Sequence, residues 1–156
     1  MNHRTWLTAA LMALLFAMPA RAADDGLLTR PSTHDTRTTL DRFAAAVRES
    51  GWVVFTEIDH AAAAKAIGAT LRARTVILFG NPRTGSPAMA AHPSLALDLP
   101  MRALVWEDEQ GHVFITRSTA ADIASRVFAR HGVDIPPEAQ QTMETMLDNL
   151  ARKAAE

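Results

Sequence analysis

"MRALVWEDEQGHVFIT", residues 101–116, decides the fold. Two apolar runs, Met101 to Glu107 and His112 to Thr116, flank Asp108-Glu109-Gln110-Gly111, and polar turn residues ending in glycine between such runs specify a hairpin. A hairpin commits its strands to antiparallel pairing, because parallel neighbours need a crossover of a dozen or more residues. Working outward, Thr75 to Phe79 and Trp52 to Ile58 are β-branched or aromatic and read as further strands. Leu28 to Thr33 reads as an edge strand, the position where Pro31 is tolerated.

Helices fill the remaining intervals. Thr36 or Thr38 caps a helix through Arg48, with Leu40, Phe43, Ala44 and Val47 at helical spacing and Gly51 as its stop. Asp59 caps a short alanine helix ending near Gly68, and Ser86-Pro87 starts another through Ala91. Thr119 opens a helix to His131 that ends at Gly132. After Pro136-Pro137 comes an amphipathic helix with Ala139, Met143, Met146, Leu147 and Leu150 on one stripe. The order is β-α-β-β-β-β-α with a short inserted helix, an α+β fold with an antiparallel sheet and helices packed on one face. Val76-Ile77-Leu78-Phe79 and Ala103-Leu104-Val105-Trp106 are apolar at successive positions, which implies cover on both faces of the sheet. A second copy of the chain, as a homodimer, or the last helix supplies that second cover.

The opening of the chain carries an address. His3 and Arg4 precede an apolar run from Trp6 to Met18, and Ala20-Arg21-Ala22 presents small residues where a signal peptidase cuts. Residues 1–22 therefore read as a signal peptide, 23–135 as an α+β domain and 136–156 as a C-terminal amphipathic helix. The expectation is an exported protein, periplasmic in a Gram-negative source and secreted otherwise, with no stable membrane span after cleavage, because the run is shorter than the roughly 20 residues a bilayer demands. The net charge of −1 comes with no basic cluster, which argues against nucleic acid as a partner. The chain has no cysteine, so disulfides and thiolate metal sites are excluded. Met143 and Met146 read as core fillers rather than a copper(I) pair, and no motif names a cofactor.

"GWVVFTEIDHAAAAKAIG" (51–68), "ILFGNPRTGSPAM" (77–89) and "LDLPMRALVWEDEQGHVFI" (97–115), in this order, resemble the domain-of-unknown-function 302 family over roughly residues 26 to 132. The resemblance implies a compact α+β fold similar to one repeat of the TATA-binding-protein fold, with a curved antiparallel sheet and a tendency to dimerise. It implies no activity and carries over no catalytic residues.

Two stretches are candidates for chemistry. Gly80 and Gly85 have the spacing of a phosphate loop, but Ser86 and Pro87 stand where its lysine and hydroxyl belong, so nucleotide binding is excluded. What remains is a ligand rim: Asn81 donates and accepts, Arg83 is a charged fork, Gly85 permits close approach, and Ser86 begins a helix whose N–H groups suit an acidic ligand or oxyanion. Helix capping by Ser86 with a solvated Arg83 explains the same residue types. In the second stretch, Glu57 and Asp59 share one face of a strand end and His60 opens the next helix, a set suited to acid–base chemistry or to a hard metal ion. A cap at Asp59 with Glu57 and His60 on the surface explains these letters equally well. His92, before Pro93, meets His60 only if the chain folds back. Gly85-Ser86-Pro87 lacks the frame of a nucleophile elbow, and H-E-x-x-H is absent. Three functions follow in order: a small-ligand binding module, a structural or partner-binding homodimer, and an enzyme using carboxylate and histidine acid–base chemistry.

Overall fold

The computed structural model describes residues 26–156. The signal-peptide reading lies outside those residues. Five strands, β1 (Leu27–Ser32), β2 (Val53–Asp59), β3 (Arg74–Gly80), β4 (Met101–Glu107) and β5 (Val113–Ser118), form one antiparallel sheet in the order β1-β5-β4-β3-β2. The β4–β5 hairpin closes through Asp108, whose side chain accepts from the N–H groups of Gln110 and His112, with Gly111 in the left-handed region. Pro31 sits on the edge strand β1, where its missing donor breaks no ladder. The opposite edge, β2, shifts register between Val54 and Thr56, so Phe55 is the extra residue of a bulge.

The cap of helix α1 (Thr36–Glu49) stands one residue before the first expected one. Asp35, not a threonine, caps it, accepting from the Thr38 backbone and hydroxyl at 2.8 and 2.9 Å. A carboxylate takes both donors at once, so aspartate outcompetes the threonines beside it. Helix α2 (His60–Ala66) links β2 to β3, and α3 (Pro82–Ala91) with a 3-10 segment (Pro93–Leu97) links β3 to β4. The helix expected from Thr119 to His131 has the expected ends but a mixed interior. Thr119 caps α4 (Ala120–Asp122), which continues as a π turn (Ile123–Phe128) and a 3-10 turn (Ala129–His131) before left-handed Gly132 stops it. Helix α5 (Pro137–Ala155) ends the fold.

Strand alternation divides the sheet into two unlike faces. Ile77, Phe79, Val105 and Ile115 project into a single core with Phe43 and Val47 of α1 and Leu147 and Leu150 of α5. The rings of Phe43 and Phe79 meet edge to face at 5.2 Å. One polar group is drawn into this layer: Arg117 is 4% exposed and donates to Glu144 of α5 at 2.6 Å, while the second Glu144 oxygen accepts from the Ala120 N–H at 2.7 Å. On the other face Ile58, Val76 and Leu104 form a cross-strand row ending in Thr116 and Thr29. The expectation that the last helix covers this second face is corrected. Helix α5 packs beside α1 on the first face, because its apolar stripe completes the core that α1 leaves open toward β1 and β5. On the second face the Trp106 and Phe114 rings stack at 4.8 Å, and Trp106 Nε1 donates to Thr116 Oγ1 at 2.9 Å.

Candidate functional site

A cavity of about 570 Å³ opens at the end of the sheet where β3 finishes and β4 begins. It is lined by Trp52, just before β2, by Phe55 of β2 and by Met101 of β4. The bulge is what allows Phe55 to reach it, since that ring approaches Gly80. Gly80 through Gly85, Ala88 and Met89 make one wall, and Leu99 with Pro100, joined by a cis peptide, make the second. Phe128, Val133 and Ile135, followed by Ala139 and Met143 of α5, close the third. The space exists because Gly80, Gly85, Ala88 and Ala139 line it with no more than a methyl group each, where larger side chains would fill it. Apolar side chains dominate the lining, and Asn81 and Thr84 bring polar groups to one side.

The expected rim residues fall into two groups. Asn81 and Gly85 line the cavity, whereas Arg83 and Ser86 stand on exposed helix surface beside it. Ser86 is not the helix cap. Asn81 holds that position, accepting from the Arg83 N–H at 3.0 Å, and Pro82 takes the first helical place. Asparagine followed by proline satisfies the same start rule five residues earlier, which leaves Ser86 and Pro87 inside α3. The proline is accommodated because Arg83, whose carbonyl a residue-87 N–H would have engaged, is itself exposed. Gly85 does not have a positive φ; an added Cβ would meet only the Met89 methyl at 3.9 Å. The Arg83 side chain makes no ion pair among the described residues.

Glu57, Asp59 and His60 are placed at the other end of the sheet. Glu57 bonds Arg37 at 3.2 Å, and Asp59 caps α2 through the Ala62 N–H at 2.9 Å. His60 is exposed and shares no hydrogen bond with either carboxylate. His92 lies near Gly132, beyond the far end of β3 from the Asp59–Thr75 pair, so the two histidines do not meet.

Sequence reading misses one constellation. The 3-10 segment after α3 brings Ser94 Oγ within 2.8 Å of His131 Nδ1, and His131 Nε2 lies 2.7 Å from Asp98 Oδ2. Arg130 adds a contact to the same Asp98 oxygen at 3.2 Å. The hydrogen bond from His131 holds the Asp98 carboxyl below the usual carboxylate range against partial desolvation, with the Arg130 charge assisting. Nothing in the spacing of residues 94, 98 and 131 announces this contact.

The matched family model is described as "Domain of unknown function DUF302" and spans residues 28–150, reaching well into α5. This chain belongs to that family. The chain is similar to the crystal structure of an uncharacterized conserved DUF302 protein from Bacillus stearothermophilus, with a TM-score of 0.68 at 12% identity, covering 83% of this chain and 98% of that one. That likeness establishes the DUF302 fold. Among curated relatives, the chain is 42% identical over 107 residues to "Fluoride-specific ion channel FluC 1" of Brucella suis biovar 1 (strain 1330). The match covers 69% of this chain and 42% of that protein. A protein of the same name from Brucella abortus biovar 1 (strain 9-941) matches at the same identity over 40% of its length. The chain thus spans about two-fifths of the curated relatives it matches, and no helix among the described residues is long and apolar enough to cross a membrane.

Proposed function

We propose that this DUF302 domain is a small-ligand binding module whose ligand has an apolar body and one acidic or polar end. The cavity carries the reading: its volume of about 570 Å³ and mainly apolar lining fall within the range of roughly 300 to 1,000 Å³ typical of small-molecule sites. The apolar body fills the space beside Trp52, Phe128 and Met143, and the polar end lies toward Asn81 and Thr84 with Arg83 close to the rim. A mainly apolar site refines the oxyanion expectation, because a bare inorganic anion would lose its hydration against these walls with few donors to replace it. The channel activity in the curated relatives' names belongs to longer chains and is not carried over.

A thermal-shift series with aliphatic and aromatic carboxylic acids tests the reading. A ligand at about a hundred times its Kd stabilises the fold by about 2.7 kcal/mol. The expected result is a rise in Tm for the chain and none for Ala88→Phe, which fills the cavity. No shift with any apolar acid, or an equal shift in Ala88→Phe, sinks the proposal. We also propose export, from the pattern of residues 1–22. Intact-mass measurement on exported material, expected to begin at Ala23, checks it, and material retaining Met1 refutes it.

A further inference from the structure

The hydrogen-bonded chain of Ser94, His131 and Asp98 lies outside the cavity lining, with a polarity that follows from its ends. Asp98, held ionised, can only accept, so His131 Nε2 donates to it. In the neutral ring Nδ1 carries a lone pair, and the Ser94 hydroxyl at 2.8 Å is placed to donate to it. The His131 side chain is only 5% exposed and Asp98 19%, whereas Ser94 is exposed. A sheltered imidazole, oriented by a carboxylate and within hydrogen-bond reach of a serine that reaches solvent, is the arrangement that makes a hydroxyl nucleophilic. The two ring nitrogens have exchanged roles relative to the familiar serine triad, in which Nε2 faces the serine. Pinning the 3-10 segment to the helix end needs only the His131–Asp98 bond; the placement of an exposed serine on the remaining nitrogen is what that structural role leaves unexplained.

We propose that Ser94 is an activated nucleophile that accepts acyl groups from small activated carboxylic esters, with His131 as its general base and Asp98 as the positioning carboxylate. Ser94 Oγ bonds to the ester carbonyl carbon as its proton passes to His131 Nδ1. The tetrahedral adduct collapses, the bond to the alcohol oxygen breaks, and that oxygen takes the proton back from Nδ1. Water then repeats the sequence on the acyl-serine, releasing a carboxylic acid and restoring the hydroxyl. The trio itself supplies no donor aimed at the tetrahedral oxyanion, so a good leaving group such as p-nitrophenolate is required. The inference stands independently of the cavity's ligand.

The test treats the full-length chain with a fluorophosphonate serine probe, maps the adduct by peptide mass spectrometry, and follows p-nitrophenolate release from p-nitrophenyl acetate. Labelling at Ser94 is expected, with release falling at least tenfold in Ser94→Ala. His131→Gln and Asp98→Asn are expected to slow labelling at least tenfold. Should His131→Gln lack a cooperative melting transition, the less buried Asp98→Asn carries the comparison. An unlabelled Ser94 in the folded chain, or release unchanged in Ser94→Ala, overturns the proposal. Equal labelling rates in the parent chain and the folded variants also overturn it, because Ser94 would then be an ordinary exposed hydroxyl.

Discussion

The two ends of the sheet are built by different means. At the end where β2 and β4 finish and β3 begins, short connections use up their own polar groups. Asp59 caps α2, Asp108 closes the hairpin, Glu57 meets Arg37, and Arg72 bonds both Glu107 and Glu109. At the opposite end the connections are long, and residues between Trp52 and Met143 converge on a cavity and on the Ser94–His131–Asp98 chain. Short connections commit their polar groups to caps, the hairpin turn and one another; long ones enclose space. The candidate chemistry gathers where the long connections converge.

Breaking the long-range end should cost most. Glu144→Ala leaves Arg117, which is nearly buried, with only the Ser118 carbonyl and Asp148 at 3.9 Å, and the loss approaches that of a broken buried pair, about 3 to 5 kcal/mol. Urea unfolding at neutral pH is expected to show that loss. Burial pushes the Glu144 carboxyl upward, but the Arg117 and Ala120 hydrogen bonds outweigh it and hold the group below its ordinary value of 4.5. A depressed carboxylate contributes stability that is fully present above its unfolded pKa and is lost as pH falls through the folded value. Tm should therefore drop below about pH 4.5 through this group, and Glu144→Gln should flatten that part of the profile. An acid profile identical in the variant contradicts the assignment.

The self-contained end should yield much less. Asp59→Ala removes one cap from a helix with no buried residues, a change worth about 1 kcal/mol. The same urea measurement is expected to separate the two variants clearly. A loss at Asp59 as large as at Glu144 would erase the contrast between the two ends.

Legibility in the sequence follows the same division. The β4–β5 hairpin, the Asp59 cap and the Gly132 stop are readable because each is fixed by residues within a few positions of one another. The apolar periodicity of α1 likewise places its buried face correctly. The start of α3 is misread because Asn81-Pro82 and Ser86-Pro87 offer two valid start signals, and local chemistry does not rank them. The apolar runs of β3 and β4 show that both faces carry greasy side chains but not that α5 joins α1 on a single face, which depends on three-dimensional packing. Gly80, Gly85 and Ala88 are visible as small residues, yet only the arrival of Phe128 and Met143 turns their spacing into a cavity.

The blunted edges of the sheet bear on aggregation. A free strand edge is a template on which another chain can add its own strand, and unprotected edges seed polymers. Here β1 carries Pro31, which offers no donor to an incoming strand, and β2 carries the bulge at Phe55, which breaks the regular ladder an incoming strand would need. The same bulge that turns an aromatic ring toward the cavity thus also obstructs end-on growth of the sheet, so sequence changes that straighten β2 trade away both properties together.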